Sequence, residues 1–232
     1  MRAVIVVILL ALVCRWGVAQ IGPKYVIELR GPGGAATAGM AQGRVQLVAH
    51  GLALVRFQGL SLLVVDADGE AYSEDAARAW PEADLLLVLP ASAGHYAGFA
   101  PLQALRNGAP VIVGEVDAAP VSAGGPQLYP MQVWNALDLR KQNTRLRVTA
   151  MAGAAGAAAI AGYMLEMGNS RSSYRLYVSA AEAAAAELAQ RMPGADLALV
   201  AGPSLLQLNR GAPSGAPAAL TAAGYTFTAI KR

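Results

Sequence analysis

The apolar positions of this chain change period along its length. From 45 to 65 they fall in closely spaced runs, 45–49, 52–57 and 61–65, punctuated by Gly51 and Gly59, which predicts strands joined by tight turns. A loose stretch containing Gly and Pro precedes them over 31–43. The period then lengthens: 73–80 suits a short helix with Ser73 as its cap and Glu74 and Asp75 in its first turn. The unbroken apolar run 84–89 suits a buried strand, 99–106 a helix closed by Asn107-Gly108, and 110–113 a strand. The second half repeats the plan, with strands at 146–150, 160–167 and 174–179, a helix at 182–191 and a strand at 196–200. A helix near 217–223 and a strand at 225–230 complete it. Strands in sequence followed by strand–helix alternation, in two similar halves, predict an α/β fold with two packed mixed β-sheets and helices outside, a four-layer αββα sandwich.

Composition narrows the class. The 232 residues are 55% hydrophobic and 14% charged, enough apolar material for one sizeable core and too little charge for a disordered chain. Residues 1–20 have the form of an export signal: Arg2, an apolar run over 3–13, then Gly17 and Ala19 before a cut. The expected division is a signal peptide over 1–19, an N-terminal extension over 20–44 and one domain over 45–232, with the mature protein periplasmic or secreted. A lipid anchor on Cys14, the single cysteine, is the alternative to cleavage after Ala19, although Val13 is bulky for lipoprotein processing. Losing Arg2 and Arg15 with the leader brings the formal charge of +3 close to neutral, which gives no electrostatic case for nucleic acid. The basic set Arg140, Lys141, Arg145 and Arg147 reads as a solvated loop and strand entry. Residues 148–165 carry no charge and have transmembrane length, but Ala and Gly dominate them and contribute little transfer energy. They read as a close-packed loop and strand rather than a membrane span.

The middle of the chain resembles the metallo-β-lactamase superfamily, in particular its ascorbate-phosphate lactonase-like branch. Val48-Ala49-His50-Gly51 is similar to the turn after that branch's first strand, and Leu62-Leu63-Val64-Val65-Asp66-Ala67-Asp68-Gly69 to its hairpin strand ending in Asp. Where the family carries an apolar strand and then His-x-His-x-Asp-His, this chain has Leu85-Leu86-Leu87-Val88-Leu89 followed by Pro90-Ala91-Ser92-Ala93-Gly94-His95, with Gly98 matching the glycine that follows. The first His falls on Pro90, the second on Ser92 and the Asp on Gly94; His95 is kept. The later ligands would fall near 152–154, which are Ala, Gly and Ala, and on Ala180-Ala181. The resemblance spans about 45–200 in order and implies the αββα fold.

The same comparison removes the family's chemistry. A zinc ion needs about three protein donors before it can hold and acidify water. Of the matched positions only His95 supplies an imidazole, so neither a metal nor another cofactor is expected, and a metal-bound hydroxide mechanism does not carry over. Candidate residues for any remaining activity are His95, Ser92, His50 and Asp66. For each histidine a structural hydrogen bond is the competing reading, and for Asp66 it is capping of local backbone donors. Ser92 lies between a strand and a helix, like a nucleophile elbow, but no histidine follows it except His95, so a Ser–acid–His triad cannot be assembled. Gly31-Pro32-Gly33-Gly34 and Gly153-Ala154-Ala155-Gly156 lack the remainder of phosphate-loop and dinucleotide motifs. Trp80 and Trp134 read as core and rim packing. Two functions follow: a non-catalytic protein binding a small molecule or protein partner in a remodelled cleft, or a hydrolase with an altered site built from Ser92, His95 and His50.

Overall fold

The computed structural model describes residues 22–29, 42–90, 98–103, 108–114, 126–153, 159–169, 171–201, 203–208 and 218–231. The first sheet is built around β2 (Gln42–Ala49), β3 (Leu52–Phe57), β4 (Leu60–Asp66), β5 (Leu85–Leu89), β6 (Val111–Gly114) and β7 (Leu128–Met131), in that spatial order, with β15 (Tyr225–Thr228) outside β2. β2, β3 and β4 are antiparallel hairpins, and β4 through β7 run parallel. The β3–β4 turn is Gln58-Gly59, both at positive φ (44° and 79°), the conformation that a two-residue hairpin loop requires. β5 is buried at every position, as a strand between parallel neighbours and covered on both faces must be.

The second sheet has β8 (Ala136–Lys141), β9 (Thr144–Ala152), β10 (Ile160–Gly168) and β11 (Ser172–Val178) as an antiparallel centre. Beside β11 lies β12 (Leu197–Val200), parallel to it, followed outward by β13 (Ser204–Gln207) and β14 (Ala218–Ala219). At the other edge β1 (Tyr25–Glu28), from the stretch the sequence assigns to an extension, pairs parallel with β8. β16 (Ile230–Lys231) pairs with the start of β11.

One apolar layer joins the two sheets: Val45, Val55, Leu62, Leu87 and Ile112 of the first meet Leu139, Val148, Tyr163, Leu176 and Leu197 of the second. The outer face of the first sheet packs Leu54, Leu63, Leu86 and Val111 against Tyr72 and Leu102, beside the short helices α1 (Glu74–Ala77) and α2 (Ala100–Gln103). Helix α3 (Ala185–Arg191) lays Leu188 on Tyr177, Ala198 and Leu206 of the second sheet's outer face. The layers are therefore helix, sheet, sheet, helix, the predicted αββα order. Ser73 caps α1, its side chain accepting from the Ala76 N–H. A stack of Phe57, Phe227 and Tyr174 closes the far end of the core, centroids 6.1 and 4.2 Å apart, over Gly43, where a Cβ would lie 2.1 Å from the Phe227 ring.

Three expectations are corrected. The helix near 217–223 is instead β14 and a turn, because its backbone is taken up by neighbouring chain: the Leu220 N–H donates to Pro203 O at 2.7 Å, and Thr221 O accepts from Leu47 N–H at 3.1 Å. The basic set lies at a strand entry as read, but on the strands themselves rather than on a solvated loop. Arg140 and Lys141 end β8, Arg145 and Arg147 lie on β9, and Asp138 beneath them is 1% exposed. Burial alone would push the Asp138 carboxyl up; the hydrogen bonds from Arg147 and Arg145 and their charges outweigh it and hold the group below its ordinary value. Trp134 does not pack as expected: it is 66% exposed at φ +69°. Residues 148–165, where described, are the facing ends of β9 and β10, and no helix among the described residues is long and apolar enough to cross a membrane.

Candidate functional site

Parallel pairing fixes where the chain can gather side chains. β4 and β5 run side by side in the first sheet, as β11 and β12 do in the second, so each pair ends at a common edge. At this edge the sandwich opens into a cleft of about 60 Å³ lined by His50, Gly51, Leu52, Asp66, Leu89, Ser179, Ala180, Val200 and others. That volume accommodates a few water-sized groups. Its walls are mainly aliphatic, so the few polar groups decide its chemistry.

Asp66 ends β4. Its backbone N–H donates to Gly51 O at 2.8 Å and its Oδ1 accepts from the Asp68 N–H at 3.0 Å, the local capping anticipated from the sequence. Gly51 is required in that turn: it sits at φ +76°, and an added Cβ would meet the Gly69 Cα at 3.4 Å. Burial pushes the Asp66 carboxyl up from its ordinary value, and the Asp68 charge adds to this; the Asp68 N–H and the nearby His50 charge pull the other way. His50 occupies the β2–β3 turn and is exposed. The structure thus brings His50 and Asp66 together at the cleft. Ser92 and His95 lie outside the described residues, as do Gly94 and Ala154.

Ser179 was not anticipated as a site residue. It follows β11, is 6% exposed, donates its hydroxyl to Ala161 O at 2.7 Å and accepts from the Ala181 N–H at 3.1 Å. The sequence signal was present, a serine closing an apolar strand, but a serine there is equally a cap. With its proton committed to a carbonyl, this hydroxyl fixes the end of β11 and is not poised as a nucleophile. Gly162 allows the neighbouring strand to approach: a Cβ there would stand 2.4 Å from Val178 O and 2.6 Å from the Tyr177 hydroxyl. The positions matched to later metal ligands are filled as read from the sequence, Ala152 ending β9 and Ala180-Ala181 following β11.

The donor set can be tested against a zinc ion. Among the described residues no group of three His, Cys, Asp or Glu side chains could hold a metal, and the cleft lining offers His50 and Asp66 alone. Two such donors fall short of the three that a zinc site draws from the protein. The described residues do not fit the ion.

No family model and no curated protein matches the sequence. Solved structures do. The fold is similar to that of the metallo-β-lactamase fold protein YhfI from Bacillus subtilis, at 15% identity over 68% of this chain and 70% of that one, with a TM-score of 0.44. It is also similar to a putative metal-dependent hydrolase from Parabacteroides distasonis, at 14% identity over 66% and 67%, TM-score 0.42. A B3 metallo-β-lactamase with an active-site glutamic acid matches at 14% identity over 78% and 80%, TM-score 0.42. These likenesses carry no correspondence of site residues, and the cleft is read from this chain alone.

Proposed function

We propose that this is an exported protein that binds a small molecule or a protein partner in the cleft between its sheets and does not carry out metal-dependent hydrolysis. The observation that supports this most is the pairing of an aliphatic cleft with only two metal-capable side chains, His50 and Asp66, among the described residues. A carboxyl raised by burial can accept or share one hydrogen bond with a bound group, while the aliphatic walls supply the contact area. The test combines native mass spectrometry of the protein, to detect a co-purified ligand, with hydrolysis of phosphodiester and lactone substrates in the presence of added zinc. The expected result is ligand retention and no zinc-dependent turnover. Zinc-dependent turnover abolished by Asp66→Asn would overturn the proposal.

One observation favours a second reading. Asp66, with its raised carboxyl, stands beside an imidazole, and perturbed carboxyls in clefts gather at catalytic sites. On that reading a metal-independent hydrolase uses His50 together with Ser92 and His95. Turnover that survives chelation and falls at least about 100-fold in His50→Ala would establish it in place of the first.

Export follows from the N-terminal pattern of Arg2, an apolar run and Gly17-Val18-Ala19. Mass spectrometry of the protein from its native host is expected to find the chain starting near residue 20; a lipid-modified Cys14 would instead mark an anchored form.

A further inference from the structure

A second site lies at the opposite end of the first sheet. Arg44 on β2 and Arg56 on β3 are direct register partners, so two like charges face one another on adjacent strands. Such a pair is unfavourable unless something negative lies between or above it. Within the described residues neither guanidinium has a carboxylate in ion-pair range. Arg56 Nη1 donates to Gln46 Oε1 at 3.2 Å, and Arg44 Nη2 donates to Ala223 O. The carboxylate that touches this region, Asp84, is already occupied: it accepts from the Ser61 N–H and hydroxyl at 2.8 and 3.1 Å and pairs with Lys141 at 3.0 Å. Among the described residues the two arginines therefore leave an uncompensated double positive charge.

The surface around them is concave. A groove of about 510 Å³ runs past Arg44 and Arg56 and is lined further by Gln42, Gln58, Ser61 and Thr226. Amides and hydroxyls of this kind supply neutral donors beside the two cations. The groove sits at the end of β3 and the start of β4, whereas the cleft uses the start of β3 and the end of β4. Along a strand of that length the two sites are roughly 20 Å apart.

We propose that this groove binds a phosphate-type oxyanion, held by both guanidiniums. A planar guanidinium fork matches such oxygens with paired, charge-assisted hydrogen bonds, and binding removes the repulsion between the two arginines. The groove is larger than a free phosphate, so it fits a phosphate group borne on a larger molecule, whether soluble or a lipid headgroup.

The test measures thermal unfolding of the purified protein in inorganic phosphate against sodium chloride of the same ionic strength. At about ten times the dissociation constant, phosphate is expected to raise the melting temperature by about 3–6 °C relative to chloride. Arg56→Gln should melt no lower than the parent in chloride, having lost a repulsive neighbour, and should lose the phosphate shift; Arg44→Gln gives an independent reading of the same groove. A parallel arm measures co-sedimentation with phosphatidylglycerol and phosphatidylcholine vesicles. Binding to the former only, abolished by Arg56→Gln, would support the site and identify its ligand as a headgroup, even without a shift in free phosphate. An equal phosphate shift in parent and both variants, or no response in either arm, would overturn the proposal.

Discussion

At Asp66 the environment works against the charge. Burial holds its carboxyl above the ordinary value, so the folded state keeps the proton to a higher pH than the unfolded chain does. The stability this contributes is fully present below the usual carboxylate range and is lost as the pH rises through the raised value. Asp66→Asn keeps an oxygen that can accept from the Asp68 N–H and removes the charge. Its stability relative to the parent should therefore improve as the pH is raised from below the usual carboxylate range to neutrality in denaturant titrations. A difference that is flat or reversed over that window would show the carboxylate to be stabilised by partners other than those described. Trp134 makes the opposite case, a cost with no compensation in view. A bulky residue at φ +69° is strained, and its indole is 66% exposed. Trp134→Gly should raise the unfolding free energy by about 1 kcal/mol; a fall of that size would mean that the ring is packed after all.

At the level of elements, the second sheet depends on a charge that it has buried. Asp138 of β8 accepts from Arg147 Nε at 2.7 Å and from Arg145 Nη2 at 3.1 Å, across the β8–β9 pair. Replacing Asp138 with Ala leaves those guanidiniums, each a third or more exposed, without their anion and should cost about 1–2 kcal/mol in urea unfolding. Because the folded carboxyl is depressed, its contribution is present above the ordinary carboxylate range and disappears as the pH falls through the depressed value. A loss under about 0.5 kcal/mol would reduce the cluster to surface ion pairs. Gly162→Ala should cost about 1–3 kcal/mol, since the added methyl meets Val178 O across β10 and β11. These elements also show where sequence reading succeeds and fails. The run Leu85–Leu89 and the Gln58-Gly59 turn announce themselves, because continuous burial and a hairpin loop each leave a local pattern. β8 does not, because a buried Asp flanked by arginines looks like surface. The stretch 217–223 reads as helix from its alanines, and only backbone bonds to distant residues override that propensity.

For the whole molecule, the two-sheet core and the central strands that build it were readable, since they depend on apolar runs that must be buried somewhere, whereas β1, β7, β8 and β13 were not. Leu87, fully buried in β5, is the sharpest check: Leu87→Asp places an unpaired charge inside the first sheet and should abolish folding, seen as loss of cooperative unfolding. The cleft was readable in part. His50 and Asp66 were singled out and meet at its mouth, while Ser179 was missed because its role arises from a hydrogen bond to another strand. The central claim is that this cleft works without a metal ion. Elemental analysis of the natively purified protein, dialysed against excess zinc and then against buffer, tests it most directly. The account predicts well below about one metal per chain, unchanged in Asp66→Asn, His50→Ala and His95→Ala. About one tightly held zinc per chain, lost in any of these variants, would contradict it.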